Sequence, residues 1–370
     1  MVRLNKKRIF SLILNSLTIN NILNIIILLI LAGITISSLT NTGLFGKAQE
    51  AKEKTKAAEA NQTKILDEYE TVLNQYDEKT LIYKVNNGEI KIGDYVKYIP
   101  DTLANTDSQY TTLMSNLKTY SGSNNNTNST LSQELNTNWR VLDVQNGQVR
   151  LISEAPTTSK IELKGYNGYN NAVKLLDDAC QTLYYNSKLA SKVQNLKIED
   201  IKKYMKTQPT EDTTPYSPTS KYYPEILLKE KEQTVNETAG TELGVSEQTE
   251  FINQTTKPQV NSWTLKKTYW SQSMNNTDSF TDSKYYELFI NNGSNYPIYW
   301  MSSRCVHADS YGADFLVRGV GSGLVSALSL YYSSDYEIPY DCAFRPCITL
   351  NSSVQVTSGS GSSESPFNIQ

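Results

Sequence analysis

The feature that most constrains this chain is an apolar tract near its N-terminus. From Ile22 to Leu39 it reads ILNIIILLILAGITISSL, interrupted only by Asn24 and small hydroxyl side chains. The tract is about 18 residues long, close to the ~20 that cross a hydrocarbon core as a helix. Arg3, Lys6, Lys7 and Arg8 precede it. A basic cluster of this kind stays cytoplasmic, which places Thr40 onward outside. A buried core helix is disfavoured by the absence of charge and the basic flank. A cleaved secretory signal is disfavoured by the length of the tract and the lack of an Ala-x-Ala site. The expected organisation is a basic leader over 1–21, a transmembrane helix over 22–40, a helical stalk over 41–80 and an exterior domain over 81–370. The expected location is the cell membrane, single-pass, with the C-terminal domain extracellular.

The stalk expectation rests on KAQEAKEKTKAAEANQTKILDEYETVLNQYDEKT, which holds no Pro or Gly and is rich in Ala, Glu, Lys and Gln. Helix propensity is high from Lys47 to about Lys79. Ile65, Tyr69, Val72 and Tyr76 recur at i, i+4, i+7 and i+11, giving one thin apolar stripe. Such a face suits a stalk or a helix packed lightly on a partner.

Composition narrows the chemistry. Net charge is −3, so no global field recruits nucleic acid, and none is expected as a partner. Tyrosine outnumbers phenylalanine 25 to 8, which suits a surface of rings with polar tips. A single histidine, His307, excludes a multi-His metal site, and no cofactor is expected. The four cysteines form no Cys-x-x-Cys pair, which disfavours zinc ribbons and thioredoxin-like chemistry.

Along the exterior region, LIYKVNNGEIKIGDYVKYIP (81–100) reads as a hairpin turning at Asn86-Asn87-Gly88. A clearer hairpin turns at Asn146-Gly147, with Trp139 placed in the core. Asn170–Ala190 and Lys197–Met205 read as helices. An irregular insertion occupies about 206–260. Strand-like runs follow at Tyr296–Ser302, Ala313–Val320, Gly323–Tyr331 and Ala343–Leu350. The tail beyond them is linker-like until Pro366-Phe367.

Two resemblances add to this. ILLILAGITISSLT followed by GLFGKAQEAKEKTKAAEAN resembles the N-terminal segment of pilin-like and pseudopilin-like surface proteins of Gram-positive bacteria. Arg8 stands where that family's leader carries Gly, and the apolar tract lacks the family's Glu. GDYVKYIP, NWRVLDVQNGQVRLIS, YNNAVKLLDDACQTLY, IEDIKKY, YWMSSRCV, FLVRGV and AFRPCITLN, in that order, are similar to a domain of unknown function in Gram-positive surface and prophage proteins. That resemblance covers roughly Leu81 to Gln370. It implies the C-type-lectin-like fold also used by relatives of formylglycine-generating enzymes. The expected fold class is therefore α+β: a transmembrane helix and stalk, then a mixed, mostly antiparallel lectin-like domain. The resemblance also implies a disulfide between Cys180 and Cys305, and a binding face that in some relatives is diversified by a retroelement.

Candidate contact residues lie in CVHADSYGAD and YYSSDYEIPY, whose Tyr, Ser, Asp and Gly are typical of recognition loops. They are His307, Asp309, Ser310, Tyr311, Asp314, Tyr331, Tyr332, Ser334, Asp335 and Tyr336. The Glu-Pro-Asn, Gln-Pro-Asp and Trp-Asn-Asp motifs of calcium-dependent lectins are absent. The favoured function is a membrane-anchored surface protein displaying a domain that binds a protein or glycan ligand, without catalysis. The second reading is a minor pilin or pseudopilin subunit whose partners are other pilin-like subunits. The third is an enzyme like the formylglycine-generating enzymes, using Cys342 and Cys347, or Cys305 with His307 as base.

Overall fold

The computed structural model describes residues 44–127, 131–209, 215–216, 246–252, 265–266, 270–274, 277–291, 296–309, 312–332 and 336–370. The chain divides into two units, residues 1–70 and 71–370. What is described of the first belongs to a helix, α1 (Leu44–Asn74), whose last four residues fall in the second. It is exposed over most of its length and carries an i,i+4 ion pair between Lys54 Nζ and Glu50 Oε1 at 2.6 Å. It ends at Asn74 and not at the expected Lys79, because Tyr76 N and Asp77 N turn back to Leu73 O and Asn74 O.

In the second unit, α2 (Leu81–Asn86) replaces the expected first hairpin. Thr80 is its N-cap, with Oγ1 accepting from Tyr83 N at 3.3 Å. Gly88, at φ +74°, ends the helix instead of turning a hairpin. Next come β1 (Tyr95–Lys97), α3 (Ser108–Tyr120), β2 (Trp139–Gln145), β3 (Gln148–Ser153), β4 (Lys160–Lys164), α4 (Gly165–Tyr184), β5 (Ala190–Asn195) and α5 (Ile198–Lys202). The insertion, most of which lies outside the described residues, contains β6 (Pro215–Tyr216); after it follow β7 (Leu265–Lys266), β8 (Gln272–Ser273) and α6 (Ser283–Phe289). The remainder is β9 (Tyr299–Asp309), β10 (Gly312–Gly321), β11 (Leu324–Tyr332), β12 (Tyr336–Glu337), β13 (Pro339–Ala343), β14 (Pro346–Leu350), β15 (Val356–Ser358) and β16 (Phe367–Ile369).

Two seven-stranded sheets organise most of these strands, while β6 and β7 pair only with each other. The first runs β15-β16-β1-β2-β3-β14-β5. Its β2–β3 hairpin has the expected turn, with Asn146 at φ +51° and Gly147 at φ +74° matching the strand twist. The tail closes this sheet, since β16 pairs parallel to β1 with Val96 opposite Phe367. The second runs β12-β11-β10-β9-β13-β4, with β8 added against β11. Helix α4 packs on strands of both sheets. Its Tyr169, Ala172, Leu175, Leu176, Ala179 and Leu183 join Trp139, Trp300, Phe315 and Ile348 in the larger core. A second core forms on the other sheet faces, from Leu142, Ile152, Met301, Val320 and Cys347 with Ile198, Trp270, Leu288 and Phe289.

The expected fold class is corrected accordingly. The described chain is a mainly β unit of two sheets, and among the described residues no helix is long and apolar enough to cross a membrane. The tract Ile22–Leu39, on which the transmembrane expectation rests, lies outside the described residues. The expected membrane location has no support here. The expected disulfide is also corrected: no disulfide joins any of the four cysteines, and all are buried. The reason is strand alternation. Arg304 donates from Nη1 to Asn170 O of α4, and Ser302 Oγ donates to Asp177 of the same helix. The odd-numbered Cys305 of β9 therefore points to the opposite face of the sheet from α4, which carries Cys180.

Candidate ligand-binding face

Four of the candidate contact residues form one row across four adjacent strands. His307 on β9 lies opposite Asp314 on β10, Asp314 opposite Tyr332 on β11, and Tyr332 opposite Tyr336 on β12. Directly opposed residues in antiparallel strands put their side chains on the same face, so the four form a continuous stripe. His307 Nδ1 stands 3.8 Å from Asp314 Oδ2, an ion pair when the imidazole is protonated. Asp314 Oδ1 accepts from Ser329 Oγ at 3.3 Å, which fixes the carboxylate. His307 is 37% and Asp314 26% exposed, while Tyr336 is 66% exposed. The stripe thus offers an imidazole, a carboxylate and two phenols, able to donate, accept and stack.

The next row inward explains why Tyr331 is not part of it. Val306, Phe315 and Tyr331 are register partners and fully buried. Tyr331 packs edge-on against Tyr166 at 5.5 Å, and Phe315 edge-on against Tyr169 at 5.3 Å, both on α4. Adjacent strand residues point to opposite faces, so Tyr331 and Tyr332 cannot both meet a ligand. Tyr331 is a core residue and leaves the candidate set. The backbone of Asp309 pairs with Gly312. Ser310, Tyr311, Ser334 and Asp335 lie outside the described residues.

A buried ion network was not anticipated. Arg150 donates from Nε to Asp143 Oδ1 at 2.6 Å and from Nη2 to Asp143 Oδ2 at 2.7 Å. It also donates from Nη1 to Asp200 Oδ1 at 2.6 Å. Asp143 accepts further from Tyr204 Oη at 2.5 Å and Lys203 Nζ at 3.1 Å. Burial alone would raise the Asp143 carboxyl, but the Arg150 fork, with Tyr204 and Lys203, outweighs it and holds Asp143 below the usual carboxylate range. Part of this network was legible. An Asn146-Gly147 turn places Asp143 opposite Arg150 by register alone, whereas Asp200 arrives from a separate helix. Beside the network a cleft of about 600 Å³ opens over Gln148, Thr349, Lys192 and Gln194, walled by Lys197 and Ser246.

Cys305 and His307 share a face of β9, but Cys305 is fully buried while His307 is at the rim. Burial pushes the Cys342 thiol up to about 12 and raises Cys347 and Cys180 as well, opposite to the shift that activates a thiolate. Among the described residues, no group of three or more His, Cys, Asp and Glu is placed to hold a metal ion. No protein-family model, no curated protein and no solved structure matches this chain.

Proposed function

We propose that this chain is a recognition module that binds a protein or glycan epitope through the His307–Asp314–Tyr332–Tyr336 row. The observation that supports this reading is the register itself: four contact side chains of three chemical kinds align on one face of adjacent strands, over a buried aromatic layer. Preorganised aromatic and polar groups lose little conformational entropy when a ligand binds. Tyrosine contributes large contact area with only two side-chain torsions.

The test compares the unmodified protein with Tyr332→Ala/Tyr336→Ala on arrays of defined glycans and defined proteins. Binding should fall by about 2 kcal/mol or more for each anchor removed, while stability stays within about 0.5 kcal/mol. Tyr331→Ala, one residue away but facing inward, should instead cost about 3–5 kcal/mol of stability. Undiminished binding by the double variant on every ligand the unmodified protein recognises would overturn the assignment.

A further inference from the structure

We infer that α1 pairs with α1 of a second copy as a parallel, in-register two-stranded coiled coil. Ala51, Thr55, Ala58, Gln62, Ile65, Tyr69 and Val72 follow one another in alternating steps of four and three. That is the 3.5-residue repeat of a coiled-coil seam, with Thr55, Gln62 and Tyr69 at a and Ala51, Ala58, Ile65 and Val72 at d. Leu66 and Leu73, at e, widen the seam. On the structure this face is exposed along its second half: Leu66 is 54%, Tyr69 46%, Val72 53% and Leu73 43% exposed. Elsewhere among the described residues, large exposed apolar side chains are scattered along the sequence. A contiguous run of them marks an interaction surface.

Size and charge select a second copy as the occupant, and a parallel one. The seam is polarised, with Ala51, Thr55 and Ala58 in its first half and Ile65, Tyr69 and Val72 in its second. A parallel partner sets large against large and small against small, whereas an antiparallel one leaves gaps beside the alanines. In the parallel register Lys54, at g, reaches Glu59 at e of the other copy, and the symmetric pair forms on the other side. Lys54 and Glu59 are both exposed, and Lys54 would exchange its intrahelical partner Glu50 for Glu59 of the other copy. Gln62, the amide at an a position, meets its own counterpart only in register, which is how a polar a residue specifies alignment.

Cysteine cross-linking in the full chain tests this. Ile65→Cys, at d, should give a disulfide-linked dimer under mild oxidation. Asp67→Cys, at the outward f position, should give about tenfold less, since f side chains point away from the seam. The native cysteines are buried, so the unmodified chain supplies the background. Sedimentation should read the unmodified protein as a dimer and Ile65→Asp/Tyr69→Asp as a monomer. Equal linkage at both positions would mean non-specific aggregation and would overturn the proposal, as would no linkage at Ile65→Cys. A dimer that survives the double Asp substitution would place the contact elsewhere and also refute it.

Discussion

Replacing Arg150 with Met removes the centre of the buried network at nearly constant volume. In the native protein its guanidinium forks onto Asp143 at 2.6 and 2.7 Å and reaches Asp200 at 2.6 Å. The Arg150 and Asp143 side chains are each only 4% exposed. Without the cation, two carboxylates remain in a low-dielectric setting with partial compensation from Tyr204, Lys203 and the Lys197 amide. Leaving a buried charge without its partner costs about 3–5 kcal/mol. For the unit of residues 71–370 that corresponds to a melting temperature lower by roughly 5–8 °C.

The pH dependence supplies the sign. Native Asp143 is held below its ordinary 3.8, so its stabilising contribution is complete above that value and is lost as pH falls through the lower folded value. In Arg150→Met the strongest opposing influence is gone and burial raises the carboxyl instead. The variant therefore recovers relative to the parent as pH falls from about 7 towards 4. Denaturant unfolding at several pH values reads both quantities. Adding Asp143→Asn to Arg150→Met should restore part of the loss, because the residual charge is removed. A loss under about 1 kcal/mol at neutral pH, or a gap that widens on acidification, would refute the electrostatic account.

Two further outcomes follow from burial and backbone geometry. A thiol reagent should find no fast-reacting cysteine in the folded protein and four after denaturation, because burial raises Cys180, Cys342 and Cys347 and all four side chains are enclosed; recovery of a Cys180–Cys305 linked peptide would contradict the structure. Gly122→Ala should destabilise more than Gly88→Ala, since both sit at positive φ but only at Gly122 would a Cβ meet Lys164 O, at 1.9 Å. The Gly88 change should cost about 1–2 kcal/mol for left-handed strain alone, and equal losses at the two sites would refute the clash.

What the sequence disclosed followed the range over which each signal acts. The Asn146-Gly147 turn specifies its own hairpin within a few residues, so β2, β3 and the Asp143–Arg150 pairing were readable. The α4 stripe likewise needed only its own periodicity. Asn86-Asn87-Gly88 misled because a left-handed glycine serves equally as a hairpin turn and as a helix stop. What decided between them was Thr80 capping Tyr83, together with the burial of Leu81 and Ile82. The cysteine pairing failed for a tertiary reason, since it depended on which face of β9 turns towards α4. The same parity separates Tyr331 from Tyr332, and no composition argument carries that distinction.

That parity also explains why the candidate contact residues collect where they do. One face of the second sheet is closed by α4, through Tyr166 and Tyr169 against Tyr331 and Phe315. The other is closed at its far end by the segment around Trp270, where Arg318 lies 5.0 Å from the indole and donates to the Trp270 carbonyl, and where Met274 N bonds Gly323 O at 2.7 Å. Along β10 and β11 this cover thins from Val320 and Val325, both buried, to Asp314 and Tyr332, both partly exposed. The row at His307 is therefore where two-sided burial runs out while the strands are still paired. A side chain there is held by a finished sheet yet contributes little to either core. This is the position at which sequence can change with small cost to stability, as surface positions generally allow, and at which a fixed scaffold can present different contact chemistry to a ligand.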